Sequence, residues 1–255
     1  MAVGRGLVRV FALLGLLSLG GASAATQAAE PLVADLSKHL VAITTGFTGT
    51  DVLLFGAVED VPGGGEVVVV VRGPNRAETV RRKARTFGIW MNTGVAEIDD
   101  APSFYRVAAS RPLAEIAPAD VLERHQIGLD SLDLDIRPQD GKADAAQYRE
   151  ALFRLKQSQG LYGDRIQDIG FLGNRLFRTD MHFPANVPVG TYLVEVYLIA
   201  GGEVISAQTT PLVISKIGLG ADLYDFAHQQ AALYGIIAIL LAASAGWAAA
   251  VAFRK

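Results

Sequence analysis

The chain contains no cysteine, which removes disulfides, thiolate catalysis and cysteine-based zinc or iron–sulfur sites together. Export is not excluded by that, because a domain of this size can be stabilised by its core alone. Excess charge is missing too: 23 Lys and Arg stand against 26 Asp and Glu, a net charge of −3. That imbalance is too small to indicate a nucleic-acid partner. No Gly-x-Ser-x-Gly elbow occurs, and Gly218-Leu219-Gly220 lacks the third glycine of a dinucleotide fingerprint. His39, His125, His182 and His228 never fall three or four residues apart, so there is no local metal motif. Asp130, Asp133, Asp135 and Asp140 invite a calcium reading, but Arg137 and Pro138 stand where an EF-hand loop needs a ligand and a glycine. Ser103, Ser110 and Ser131 carry no local sign of activation, so an anchored hydrolase has no motif to rest on. This reading expects no catalytic residue, no cofactor and no metal; its alternative is a periplasmic anion- or metal-binding module, in which histidines distant in sequence would meet.

What the chain does have is an apolar run near each end. Ala231 to Phe253 carries no formal charge, and a helix needs about 20 such residues to cross a hydrocarbon core of about 30 Å. Arg254 and Lys255 follow directly and mark that side as cytoplasmic. At the other end Arg5 and Arg9 precede the run Val10 to Leu19, and Ala22-Ser23-Ala24 offers a small-residue cleavage site. The expectation is a signal peptide over 1–24, an exported domain, one transmembrane helix over 231–253 and a two-residue tail, 254–255. The bulk of the chain would then lie in the periplasm of a bacterial inner membrane.

The exported part reads as mainly β, an immunoglobulin-like β-sandwich with a helical insertion. Leu40–Thr45, Asp51–Val58 and Glu66–Arg72 are short β-branched runs bounded by Gly, Pro or Asp. Pro62 to Gly65 predicts a hairpin between the second and third of them. Five consecutive valines, Val67 to Val71, predict a central strand covered on both faces. Strands are also expected at Val80–Arg85, Gly88–Asn92 and Phe104–Ala109, a spacing that fits a sandwich over 30–112. Pro118 to His125 and Ala143–Gln159 read as helices within an insertion over 113–163. Tyr148, Leu152 and Leu155 would form the buried face of the second helix. Gly128 to Ile136 reads as a short strand or an extended loop. Gly170–Phe177, Tyr192–Ala200 and Val204–Ser215 are expected strands of a second β lobe, 164–217, with a hairpin turn at Gly201-Gly202. Tyr192 falls where a corner tyrosine bonds back to nearby backbone. Leu219, Leu223 and Phe226 make the connector 218–230 an amphipathic segment lying at the membrane surface or running into the anchor.

Two patterns are candidate sites. Arg72, Arg76, Arg81, Arg82, Lys83 and Arg85 form the densest charge cluster, opposed locally by Glu78 alone. Strand alternation places Arg81, Lys83 and Arg85 on one face and Arg82 with Ala84 on the other. Such a strand is solvated, paired with acids such as Glu97, Asp99 and Asp100, or placed for an anion or acidic partner. In the apolar helix, Ala238, Ala242, Gly246 and Ala250 recur every four residues, a small-residue stripe of the kind that lets helix backbones approach closely in lipid. The partners expected are the bilayer and a polytopic membrane protein.

Several blocks also carry a resemblance: Val41-Ala-Ile-Thr-Thr-Gly-Phe-Thr-Gly-Thr-Asp-Val-Leu-Leu-Phe-Gly56, Val70-Val-Arg-Gly-Pro74, Phe183-Pro-Ala-Asn-Val-Pro-Val-Gly-Thr-Tyr192 and Ala207-Gln-Thr-Thr-Pro211. With Lys216-Ile-Gly-Leu219, Phe226-Ala-His228 and the Phe253-Arg-Lys255 terminus, the chain resembles an uncharacterised alphaproteobacterial single-pass transmembrane protein family. The resemblance implies a topology and an accessory role beside a membrane transporter. It supplies no activity, cofactor or site residue.

Overall fold

Five valines in a row cannot sit on a sheet that faces water, and their burial organises the fold. The computed structural model describes residues 31–59, 61, 64–139, 145–173, 175–218, 224 and 226–253. The expected signal peptide, the tail 254–255, Asp140 and most of the connector after Gly218 lie outside the described residues.

The chain is mainly β, with three sheets among the described residues and one C-terminal apolar helix. The first sheet runs in the order β1 (Leu32–Leu36), β3 (Gly49–Val58), β11 (Leu176–Pro184), β10 (Gly170–Leu172). The second runs β2 (Leu40–Ile43), β13 (Glu203–Lys216), β12 (Gly190–Ala200), β4 (Glu66–Arg72), β7 (Tyr105–Ala109), β9 (Gln167–Asp168). The third is β5 (Asn75–Thr86), β6 (Ile89–Pro102) and β8 (Ile136–Pro138). Helices α1 (Leu113–Ile116), α2 (Ala119–Arg124) and α3 (Ala145–Ser158) occupy the insertion, and α4 (Ala231–Ala252) is the apolar helix.

Two expectations are corrected by this order. β3 and β4 are not a hairpin: β3 lies between β1 and β11, and β4 between β12 and β7. β3 alternates between buried Val52 and Leu54 and exposed Asp51 and Phe55, so it suits a sheet with one wet face. β4 is fully buried from Val67 to Val71 and needs cover on both faces. The seven residues between the two strands, 59–65, are enough chain to cross the ~10 Å between packed sheets. Nor do 30–112 and 164–217 divide into two β lobes: β3 pairs with β11 and β4 with β12, so both stretches build the same two sheets.

Register shows what covers β4. Val68, Val70 and Arg72 share a face with their direct partners Tyr105, Val107, Leu193, Glu195 and Tyr197. The insertion lies over that face: His125 packs on the Tyr197 ring, and the Tyr105 hydroxyl donates to the Gln126 carbonyl at 2.8 Å. Leu113, Ile116, Val121 and Ile127 join the same core. Val67, Val69 and Val71 point the other way, by strand alternation.

A second, smaller core joins α3 to the third sheet through Val80, Ala96, Ile98, Ala101, Tyr148 and Leu152. Here the expected helix face shifts. Leu155 is 50% exposed, and the buried stripe is Tyr148, Leu152 and Lys156, at steps of four. Lys156 stays inside because its ammonium reaches the Glu78 carboxylate at 2.5 Å, the pairing that a buried cation requires.

The β12–β13 hairpin forms as expected, with φ of 61° at Gly201 and 84° at Gly202, the left-handed pair that a two-residue primed turn requires. Tyr192 is fully buried, with its ring edge-on to Phe104 and Phe183, and its hydroxyl donates to the Pro188 carbonyl at 2.6 Å. This is the expected corner bond.

Burial pushes the Tyr105, Tyr192 and Tyr197 phenols from 10.0 up to about 12, and raises Tyr162 as well. The folded chain therefore holds protons that the unfolded chain loses near pH 10. The stability they contribute is complete below pH 10 and is lost as pH rises through about 12. Denaturant midpoints of the detergent-solubilised protein should fall over that window. Tyr192→Phe should cost about 1 kcal/mol at neutral pH and make the alkaline decline shallower.

Candidate functional site

The basic cluster of the sequence separates into two structures with different roles. Arg72, at the end of β4, is half inside the protein. Its Nε lies 2.8 Å from the Glu195 carboxylate on neighbouring β12. Its Nη1 donates to the Gln126 side-chain oxygen at 3.0 Å, and Nη2 donates to the His125 and Gln126 carbonyls at 2.6 and 3.1 Å. The guanidinium also lies over the Tyr105 ring, 5.8 Å from its centroid. Gln126 holds a φ of +52° in this clamp, and the Tyr105 hydroxyl accepts from the Gly128 amide at 2.8 Å. One planar fork thus fastens the insertion to the sheet. A cleft of about 690 Å³ opens beside it, lined by Arg72, Asp100, Gln126, Asp133, Thr191 and Glu195. Arg76 is also engaged, donating to the Val189 carbonyl at 3.1 Å.

Arg81, Arg82, Lys83 and Arg85 lie on the outer half of the β5–β6 hairpin, and all four are exposed. Register pairs Arg81 with Val95, Lys83 with Asn92 and Arg85 with Trp90 on one face. Arg82 pairs with Gly94 and Ala84 with Met91 on the other. No acidic residue occurs between Glu78 and Glu97. Glu97 accepts from Gln139 at 2.8 Å, and Asp99 pairs with Arg137. At the turn, Phe87 and Gly88 have φ of 53° and 84°. Asn-Gly is the preferred occupant of such a turn, and a bulky residue there is a genuine outlier. Phe87 is 99% exposed and Trp90 68%, with Ile89 and Met91 also exposed.

The other sequence candidates are scattered. His39 lies 3.2 Å from Asp35, His182 lies 2.7 Å from Asp51, and His228 contacts the Tyr224 carbonyl at 2.9 Å. Among the described residues no three His, Asp or Glu side chains gather closely enough to hold a metal. Asp135 pairs with Arg137 at 3.2 Å, Ser110 donates to Glu66 at 2.5 Å, and Ser103 is buried behind Gly73. A second, largely apolar cleft of about 750 Å³ lies between the α1–α2 segment and the loop 163–166. Nothing in the sequence pattern marks it, because its walls come from separate segments.

On α4, Ala238, Ala242, Gly246 and Ala250 are exposed, and the space where a Gly246 Cβ would sit is open. The helix has 22 residues, about 33 Å at 1.5 Å per residue, enough to span a bilayer core. It is the one helix among the described residues that is long and apolar enough to do so.

The family model described as "Putative transmembrane protein (Alph_Pro_TM)" matches residues 31–255. The chain belongs to the Alph_Pro_TM family. No curated protein matches it. Together with α4, membership makes this Alph_Pro_TM protein a membrane protein associated with the bilayer through its C-terminal helix.

Removing the fork should show how much the clamp holds. Arg72→Met leaves Glu195 without its counter-charge and the His125 carbonyl without its donor, while the Gln126 carbonyl keeps the Tyr105 hydroxyl, an expected loss of about 2–4 kcal/mol. Arg72→Lys keeps the charge without the planar geometry and should fall between. Thermal denaturation of the solubilised chain gives the order wild type, Lys, Met.

Proposed function

We propose that this Alph_Pro_TM protein is a non-enzymatic, membrane-anchored interaction protein that assists a polytopic membrane protein such as a transporter. The observation that carries the reading is the bare small-residue stripe on α4. In lipid, helices associate by close backbone packing and not by a hydrophobic drive, so the stripe suits a second helix. Its domain faces the periplasm in a type I arrangement, with the 1–24 segment as a signal peptide. The charges support that orientation: Arg254 and Lys255 follow the span, whereas the sequence 218–230 before it contains Asp222 and Asp225 and no Lys or Arg.

An immunoglobulin-like sandwich suits such a role, and the strand order supports it. β1-β3-β11-β10 follows A-B-E-D, and β13-β12-β4 follows G-F-C, with the corner tyrosine at the start of the sixth strand. A second reading, a periplasmic anion-binding module, is favoured by the cationic hairpin. Calorimetric titration with oxyanions separates the two, since the interaction reading expects no saturable heat.

Two experiments test the main reading. A reporter active only in the periplasm should work when fused after Ser215 and fail when fused after Lys255; the reverse would overturn the orientation. Mild-detergent purification of the full chain should recover a polytopic partner. Gly246→Leu should weaken that association by about 1 kcal/mol or more, while Ile239→Leu, off the stripe, should not. Recovery of the chain alone, or equal recovery from both variants, would remove the helix-packing role.

A further inference from the structure

We infer that the tip of the β5–β6 hairpin docks on an anionic phospholipid surface. This deepens the proposed function only in using the membrane anchor; it does not depend on a protein partner. The first argument is support. The core shared with α3 holds the root of the hairpin through Val80, Ala96 and Ile98. Beyond the Arg81–Val95 rung, where the Gln139 amide donates to the Val95 carbonyl at 2.8 Å, the hairpin is two-stranded among the described residues, an arrangement marginal in water, and its side chains there are largely exposed. The second argument is composition. Phe87, Ile89, Trp90 and Met91 cap the ribbon, and Arg81, Arg82, Lys83 and Arg85 stand beside or behind them. Arg85 shares the rung of Trp90, and Lys83, Arg82 and Arg81 lie one, two and three rungs behind Met91; an apolar leading edge followed by cations matches the acyl boundary and the phosphate layer of a bilayer.

The third argument is backbone strain. The turn holds Phe87 at a positive φ that asparagine would adopt more readily, and it projects the ring almost wholly into solvent. Strain kept at an exposed aromatic is explained by a contact that the ring makes elsewhere.

The fourth argument is reach. Arg76 bonds to Val189, and Pro74 packs where a Gly190 Cβ would sit, so the hairpin is rooted beside the start of β12. Gly190 is the register partner of Ile214, near the end of β13, from which the chain continues to α4. Hairpin root and anchor exit therefore share one end of the second sheet. The six residues of β5 beyond Val80, Arg81–Thr86, reach about 20 Å at 3.3 Å each.

Trp90 provides the test, because Trp247 is the sole other tryptophan. The full chain carrying Trp247→Phe is placed in nanodiscs of brominated phosphatidylcholine, alone or mixed equally with brominated phosphatidylglycerol. In the anionic discs Trp90 emission should move to the blue and be quenched about twofold or more relative to non-brominated discs of the same composition. Raising salt should reverse this, as screening predicts. Joint reversal of the four cations to glutamate should abolish it. Phe87→Asn should reduce it while leaving the thermal midpoint equal or higher, a combination that misfolding cannot produce. Water-like Trp90 emission in both discs would overturn the proposal. So would equal, salt-insensitive quenching in both, which denies recognition of charge. Shielding of Trp90 only in native membranes, with crosslinks to a protein, would overturn it in favour of an acidic protein partner. The reconstituted chain carries no such partner, so either result leaves the co-purification test of the transporter-accessory reading independent.

Discussion

The two-sided burial of β4 is the constraint on which the rest of the architecture depends. Each of its five valines is fully enclosed, and burial of that kind is worth about 1.5–3 kcal/mol per side chain. One face is satisfied by the first sheet. The other must be satisfied by something that is not a sheet, and the segment from Leu113 to Gly128 fills that place. A lid made of short helices brings unpaired backbone polar groups onto an apolar surface, where each costs free energy if it stays unsatisfied. The Arg72 fork and the Tyr105 hydroxyl meet the His125 and Gln126 carbonyls and the Gly128 amide at that point. The polar clamp is thus a consequence of the valine run, and its position beside a cleft follows from where the lid ends.

The same dependence explains which parts of the fold were legible in the sequence. Strand identity in β4, β12 and β13 follows from local pattern, because burial on one or two faces writes itself as runs or alternation. The Tyr192 corner and the Gly201-Gly202 turn are equally local and were readable. Pairing between β3 and β4 was misread because a glycine-rich loop signals a turn without saying whether the chain stays in one sheet. Leu155 was misplaced because hydropathy ranks leucine above lysine, whereas Lys156 is buried by its bond to Glu78, 78 residues away in sequence. The basic cluster reads as one feature in sequence. It divides in space because Arg72 ends a central strand and Arg76 meets the 187–190 turn, while the remaining four ride on a ribbon.

That ribbon shows a division between a stiff root and a bare tip. Its root is fixed by α3, by β8 and by the Lys156–Glu78 pair. Among the described residues its tip has none of these supports, and left-handed backbone at a non-glycine residue such as Phe87 costs about 1–2 kcal/mol. Like charges on one strand face add repulsion that salt only partly screens. A solvated edge that merely prevents sheet-to-sheet association needs charge, but it needs neither Phe87 nor Trp90.

Anchoring changes how weak contacts of this kind are weighed. A free domain would have to offset the loss of translational and rotational freedom with every encounter. A domain held by α4 is already beside the bilayer and beside any helix that shares it, so each further contact is effectively intramolecular. A small-residue stripe in the membrane and a cationic, aromatic ribbon above it can then each be individually weak and still act together in orienting the domain. The hairpin root and the end of β13, from which the chain continues toward the anchor, meet at one end of the second sheet. A fold whose centre is tightly specified, and whose hairpin tip and apolar helix carry mostly exposed side chains among the described residues, suits the proposed role, in which contacts are made with other molecules.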